Sequence, residues 1–176
     1  MNYKKALQTK SHFYFEYIPS ELIASICVYL NLEDVGTLRN SSVIPYKFFD
    51  SLNFWIPYFN FYDLPVLYKW KSFDNWKLDF KKILIASWKT KGVMDSTSKH
   101  FFYYKKLRGI HEIFVKYLNK DLVNSIWSNY PFTTLVYNQS PLSLEVTTFK
   151  GPVQITTDKK TIRNIILHIF YLHDDI

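Results

Sequence analysis

The residues able to carry out acid–base, nucleophilic or metal chemistry are few and lie far apart in the sequence. The candidates are five histidines and a single cysteine: His12, His100, His111, His168, His173 and Cys27. A helical metal site needs two such ligands four residues apart, and no two of these residues have that spacing. The sequence also lacks a glycine-rich phosphate loop and a Gly-x-Ser-x-Gly nucleophile turn. We therefore expect no catalytic residue, no metal ligand and no cofactor, since an enzyme would have to assemble its site from distant residues.

The remaining titratable residues have structural interpretations. Cys27 lies among apolar residues of a predicted helix, which favours a buried thiol over a nucleophile. A lone cysteine excludes an internal disulfide and is typical of a reducing compartment. Glu16, Glu21 and Glu112 are interpreted as surface or capping residues. His168 and His173 are expected to be a partly exposed pair without a role.

Composition places the chain among folded proteins. Hydrophobic residues make up 48% of the 176 positions and aromatic residues 19%, which excludes disorder over most of the length. No stretch approaches the roughly 18 consecutive apolar residues of a membrane helix. The beginning of the sequence lacks the apolar core of a signal peptide. We expect a protein without membrane association, located in the cytoplasm, the nucleus or both.

The net charge of +7 is concentrated in one part of the chain. Residues 63–130 hold thirteen Lys and Arg against six Asp and Glu, and 13 − 6 = 7 accounts for the whole excess. The segments on either side are balanced. The sequence therefore predicts three segments, namely residues 13–62, the basic and aromatic-rich residues 63–130, and residues 131–176, with the last segment packed against the one before it.

An unusually wide apolar helix is predicted near the start, within "IPSELIASICVYLNLEDV". Pro19 suits a first helical turn, and nothing breaks the helix before residue 30. At 100° per residue, its apolar side chains cover an arc of about 160°, whereas a one-sided helix shows about 100° or a little more. The arc consists of Tyr29, Leu22, Ile26, Leu30, Ile23 and Cys27. This width indicates a helix that touches two surfaces.

Two further short helices are predicted in the same segment. Asn31 is placed to cap the second helix, with Asp34 in its first turn, and Pro45 is placed to start the third. In order and spacing these residues resemble the F-box pattern: Ile18-Pro19-x-Glu21-Leu22, Ile26, Leu30, Asp34-Val35, Leu38-Arg39 and Trp55. The resemblance covers about residues 15–60. It departs from the family at Ile18, where leucine is usual, and around residues 41–46.

The resemblance implies a three-helix module that docks on the small BTB-like adaptor of SCF ubiquitin ligases, and through it on a cullin. The remainder of the chain would then recruit an unknown protein substrate. The residues that the family pattern assigns to adaptor docking are Ile18, Pro19, Leu22, Ile26, Leu30, Val35 and Leu38. Two alternatives stay open: an ordinary helical core without a partner, and a non-catalytic structural subunit of a larger assembly.

The basic segment predicts two helical stretches with an aromatic and basic cluster between them. One apolar stripe is formed by Phe73, Trp76, Phe80, Leu84 and Trp88, and Gly92 suits its end. The second stretch covers residues 110–127. The cluster between them could stack bases and neutralise phosphates, or it could be a buried aromatic patch with solvated lysines. Its candidate nucleic-acid or partner residues are Lys99, Phe101, Tyr103, Lys105, Lys106 and Arg108.

The last segment is richer in β-branched residues and turn formers. Residues 132–138, 142–149 and 153–157 predict three short strands in a meander. Asp158 is placed to cap a final helix whose apolar stripe is Ile162, Ile165, Ile166, Ile169 and Phe170. The predicted fold class is mainly α (α+β): a three-helix F-box-like module, further amphipathic helices, a small antiparallel meander and a C-terminal helix.

Overall fold

The computed structural model describes residues 18–41, 43–103, 109–128 and 131–173. Over these residues the chain forms eight helices and a small antiparallel sheet, which confirms the mainly helical α+β class. The helices are α1 (Ser20–Cys27), α2 (Leu32–Asn40), α3 (Tyr46–Phe49), α4 (Leu52–Phe61), α5 (Phe73–Asp95), α6 (Ile110–Tyr117), α7 (Lys120–Trp127) and α8 (Lys159–Leu172). The strands are β1 (His100–Tyr103), β2 (Phe132–Asn138), β3 (Ser143–Thr148) and β4 (Gly151–Ile155).

The chain divides into two compact units. The first ends at Lys81 and the second begins at Lys82, so the boundary falls within α5. The first unit contains α1 to α4 and the start of α5. The second contains the rest of α5, the sheet and α6 to α8.

The start of α2 is capped as the sequence predicts. The Asn31 side-chain oxygen accepts hydrogen bonds from the backbone N–H groups of Glu33 and Asp34, at 3.0 and 2.9 Å. Its amide group donates to the Asp34 carboxylate. Two of the otherwise unpaired N–H groups at this helix end are thereby satisfied, which fixes where α2 begins.

The predicted third helix is divided into α3 and α4. Pro45 precedes α3 as expected, but α3 ends at Phe49. Ser51 then has an extended backbone, and its hydroxyl donates to the Phe48 carbonyl at 2.6 Å. That bond satisfies a carbonyl at the end of α3, and α4 starts one residue later. The three-helix F-box-like arrangement stays a prediction.

The core of the first unit combines large aromatic rings with aliphatic side chains such as Val35 and Ile44. Its fully or nearly fully buried rings are Phe49, Phe54, Trp55, Tyr58, Phe59, Phe73, Trp76 and Phe80. The Trp55 indole N–H donates to the Phe49 carbonyl at 2.7 Å, so the polar atom of this buried ring is satisfied. The stripe predicted for α5 is confirmed for Phe73, Trp76 and Phe80, whereas Trp88 is largely exposed.

The second unit is built around a four-stranded sheet in the order β1-β2-β3-β4, with every neighbouring pair antiparallel. The three predicted strands are present, and β1 is an additional strand that the sequence analysis did not predict. One face packs on α8, where the rings of Phe102 and Phe170 lie 5.6 Å apart. The predicted apolar stripe of α8 is buried throughout, and Asp158 caps this helix by accepting from the Thr161 N–H at 2.9 Å.

Three local expectations in this unit are wrong. Helix α5 continues through Gly92 to Asp95. The stretch predicted as one helix over residues 110–127 is two helices, because Leu118 is extended and the Asn119 side chain accepts from the Leu122 N–H at 2.8 Å. His168 and His173 are buried, since the apolar side of α8 packs into the core.

Candidate partner-docking surface

Helix α1 has two apolar sides, and only one of them faces the protein. Ile23, Ala24, Cys27 and Val28 are buried. On the other side Leu22 and Ile26 are 56 and 58% exposed, and Tyr29, in the turn that follows α1, is 77% exposed. These three, which we call the outer stripe, have the spacing i, i+4, i+7 of one helical face. The wide arc predicted for this helix is thus divided between the core of its own unit and an open surface.

The outer stripe continues onto the end of α4. The ring of Tyr29 meets that of Phe61 edge to face, with centroids 5.2 Å apart, and Phe61 contacts Tyr62 in the same way. Phe61 and Tyr62 are also exposed. Single exposed apolar residues are ordinary, but a contiguous group of large ones is typical of an interaction surface.

An open groove between α1 and α4 adds a concave feature to this surface. It encloses about 280 Å³ and is lined by Glu21 of α1 and by Leu52, Asn53, Ile56 and Pro57 of α4. Ile56 is exposed. The groove offers a mostly apolar cavity with one carboxylate and one amide at its wall, which suits a side chain of a protein partner.

The residues assigned to adaptor docking differ in accessibility. Besides the exposed Leu22 and Ile26, Pro19 is exposed and three residues are half-buried: Ile18, Leu30 and Leu38. Val35 has no exposed surface. Val35 can therefore support a docking surface from beneath, but it cannot touch a partner.

The end of α1 is held in place by α4. The Tyr58 hydroxyl donates to the Leu30 carbonyl at 3.0 Å, and this buried ring packs on Phe54 and Trp55. Burial raises the pKa of Tyr58 above its usual range, so the phenol stays protonated and keeps donating. The outer stripe thus stands on a rigid base, which lowers the entropy cost of binding.

An ion pair connects α2 with α5 on the surface of the first unit. Lys77 and Lys81 lie 3.0 and 3.3 Å from the two carboxylate oxygens of Glu33. Hydrogen bonds from Lys77 and Lys81, with their positive charges, lower the pKa of Glu33. Because this carboxylate is fully solvated, we assign the pair a positioning role and little stabilisation.

The predicted aromatic and basic cluster lies partly on β1. Phe101 and Tyr103 are 50 and 61% exposed and share the outer face of the sheet, whereas Phe102 between them is buried. Lys99 is exposed. Lys105, Lys106 and Arg108 lie outside the described residues. Alternate side chains of β1 thus point to the core and to the open face, and a role of the exposed ones in binding stays a prediction.

The acid–base candidates lie apart from one another. Three histidine rings pack against aromatic rings: His100 on Phe102, His111 on Trp127, and His168 between Tyr117 and Tyr171. His12 and Glu16 lie outside the described residues. Cys27 is buried, and burial raises its pKa to about 11, as expected of an unreactive thiol. Where the structure describes the chain, no group of three metal-ligating side chains occurs.

Comparison with protein-family models, curated proteins and solved structures found no match to this chain. The likeness to the F-box family is therefore a resemblance of residue pattern alone. Among the described residues, no helix combines the length and apolar character needed to cross a bilayer.

Four aromatic or aliphatic members of this surface were not assigned from the sequence: Tyr29, Ile56, Phe61 and Tyr62. Tyr29 lies on the predicted apolar arc, so the arc itself is the signal that could have identified it. Ile56 and Phe61 belong to the surface because α4 packs beside α1, and no local pattern in the sequence predicts that contact.

Proposed function

We propose that this protein is an F-box-like adaptor that docks on the small BTB-like adaptor of SCF ubiquitin ligases through the outer stripe of α1. The remainder of the chain recruits a protein substrate. The protein itself performs no chemistry, and it acts by holding the substrate near an enzyme that the assembly brings. The observation that supports this proposal is the exposure of Leu22 and Ile26 on a helix whose opposite side is already buried, with Tyr29 exposed in the turn after it.

The family pattern and the exposed side of α1 coincide at two positions. Leu22 and Ile26 belong both to the residues that the family pattern assigns to docking and to the exposed side of α1. Because each of these side chains is already partly buried, covering the rest of its surface in a complex would contribute roughly 1–2 kcal/mol. The contact with Phe61 and the adjoining groove extend the surface beyond one helix.

The test is co-expression with the SCF adaptor followed by gel filtration, for the wild type and for Leu22→Asp combined with Ile26→Asp. Both positions are exposed, so the double variant should keep its helical circular dichroism. In the complex the two introduced carboxylates would be buried without a partner, which costs several kcal/mol, so the complex should be lost. The matched control is Leu78→Asp, because Leu78 is also a helical leucine and is 56% exposed, the same as Leu22.

A stoichiometric complex that survives Leu78→Asp but not the double substitution supports the proposal. A folded wild type that forms no complex contradicts it, and so does equal loss in the control. Recovery of a cullin together with the adaptor separates a ligase component from a structural subunit, since only the former needs the cullin.

A second candidate function is binding of single-stranded nucleic acid on the outer face of the sheet. Phe101 and Tyr103 are two residues apart on one strand and both project from this face, which suits stacking of bases. Lys99 supplies a cation nearby. Glu145 pairs with Val136 in the register and shares the face with Phe101, and its charge opposes a polyanion. We therefore place this function second.

The second candidate is tested by fluorescence anisotropy with a labelled single-stranded oligonucleotide. Phe101→Ala with Tyr103→Ala should weaken binding by about tenfold or more per stacked base. Phe149→Ala is the control, since Phe149 is an equally exposed aromatic residue of the same unit. Affinity should fall steeply between about 50 and 200 mM salt, whereas apolar docking on an adaptor would barely respond.

A further inference from the structure

A second cavity lies in the second unit, between the later turns of α5 and the first turns of α8. It encloses about 200 Å³. Its wall is lined by Ser87, Thr90, Lys91, Met94, Asp95, Lys159 and Arg163. The five residues from α5 follow the spacing i, i+3, i+4, i+7, i+8, so one face of this helix forms one wall. Neither the F-box resemblance nor the aromatic cluster accounts for this cavity.

The side chains around this cavity carry an excess of positive charge. Lys91, Lys159 and Arg163 contribute three cations and Asp95 one carboxylate, so the net charge is 3 − 1 = +2. Lys91 and Asp95 are four residues apart on α5, but this order of charges is the less favourable one along a helix. Within the described ranges, neither Lys91 nor Lys159 forms an ion pair.

Of the two carboxylates near the cavity, Asp95 is part of its wall and Asp158 directly precedes Lys159 in the chain. The pKa of Tyr137 is raised by burial and by the negative charge of Asp95, which places Asp95 near that phenol. Asp158 adjoins Lys159, but its two oxygens accept from the backbone N–H and the hydroxyl of Thr161 at 2.9 and 2.6 Å. The cap of α8 is thus filled by its own side chain, and any anion in the cavity would be held by the three cationic side chains.

We propose that this cavity binds a phosphomonoester group. Such a group carries a charge of about −1.5 to −2 at neutral pH, which matches the net charge of the lining. Its size also fits, because the cavity offers about 200 Å³ and is open to solvent on one side. That space accepts a terminal phosphate with a few waters. Lys91 and Lys159 supply point charges, Arg163 adds a third positive charge, and Ser87 adds a hydroxyl donor.

The hydroxyl of Thr90 does not donate to the proposed ligand. It is buried and donates to the Ala86 carbonyl at 2.7 Å, so its hydrogen is already used. Thr90 and Met94 shape the floor of the cavity. This site is independent of the proposed adaptor function, because it lies in the second unit and the docking surface lies in the first.

The test is NMR titration of the full-length, isotopically labelled protein with four probes: inorganic phosphate, sulfate, adenosine monophosphate and a short phosphoserine peptide. The unphosphorylated peptide is the blank. Saturable shifts should map to α5 and α8. Lys91→Gln with Lys159→Gln should weaken binding of the phosphomonoesters by about tenfold or more, because two charge-assisted hydrogen bonds are lost.

The matched control is Lys69→Gln with Lys71→Gln, which removes the same charge from two other exposed lysines. The affinity of this control variant for the phosphomonoesters should stay within about twofold of that of the wild type. Lowering the pH from 7 to about 5.5 should weaken the binding of the phosphomonoesters, because their second pKa is about 6 and they lose negative charge. The binding of sulfate should not change. The phosphomonoester that binds with the highest affinity then shows whether the natural ligand is a nucleotide or a phosphorylated peptide.

The proposal is overturned if the folded wild type shows no saturable shifts with any of these phosphates. It is also overturned if the shifts map outside α5 and α8, or if both double variants weaken binding equally. Adaptor co-purification is unaffected by any of these results, so failure of one proposal cannot be mistaken for failure of the other.

Discussion

Trp55 of α4 and Trp76 of α5 stack with their ring centroids 5.7 Å apart and their planes 15° from parallel. Both side chains are completely buried, and Trp55 closes the sequence pattern that resembles an F-box. The pair joins the helix next to α1 with the start of the long helix. The base of the docking surface thus depends on residues well beyond the motif.

We predict a measurable coupling energy between Trp55 and Trp76. Trp55→Leu and Trp76→Leu should each destabilise the protein by about 3 kcal/mol or more, since each removes a large buried ring. The double variant should be less destabilised than the sum by about 0.5–1.5 kcal/mol. Urea unfolding of the wild type, the two single variants and the double variant gives this coupling energy. Strict additivity would mean that the stacked geometry contributes nothing beyond burial.

Two residues of the same predicted docking set should respond in opposite ways. Val35→Ala should lower the free energy of unfolding by about 2 kcal/mol, because it opens a cavity in the core. Leu22→Ala should change it by about 0.5 kcal/mol or less, since Leu22 is exposed. Thermal and urea unfolding measure both. A large destabilisation by Leu22→Ala would mean that α1 packs by its outer side.

Cys27 should be protected from thiol reagents in the folded protein. Burial raises its pKa to about 11, and the thiolate is the reactive form. At pH 8 we expect alkylation at least about a hundredfold slower than that of a free cysteine. Mass spectrometry after iodoacetamide treatment measures the rate, with the urea-unfolded chain as the reactive control. Rapid labelling under native conditions would contradict the buried position of this thiol.

Acid should destabilise the second unit through His168. Burial, with the positive charge of Lys116, lowers the pKa of His168 to about 4. The unfolded chain takes up this proton near pH 6.5, so it binds more protons than the folded protein between about pH 6.5 and 4. The free energy of unfolding therefore decreases as the pH falls through that window, by on the order of 2 kcal/mol from this residue.

His168→Leu should remove this contribution and make the free energy of unfolding less dependent on pH between 6.5 and 4. His111→Leu is the control, since His111 is exposed on α6 and its variant should follow the wild type. Urea unfolding at several pH values measures the difference. An unchanged pH dependence in His168→Leu would show that His168 titrates alike in both states.

Much of the local structure follows from short sequence signals. Asn31, Asn119 and Asp158 each start a helix because a short polar side chain satisfies N–H groups that the helix leaves open. Asn31 and Asp158 were predicted in that role. Asn119 was missed because the apolar periodicity runs through it from α6 to α7. Likewise β1 was missed, because four residues in an aromatic run show too little alternation to identify a strand.

The sequence by itself determined the mainly helical class, the capped helices, the three later strands and the excess of apolar residues on α1. Only the tertiary structure decided which side of that helix is covered, since the same periodicity describes a core and a partner surface. It also placed Phe61 beside Tyr29, and Lys91 near Lys159 and Arg163. Such pairs are distant in sequence, and they meet only because the packing of whole elements brings them together.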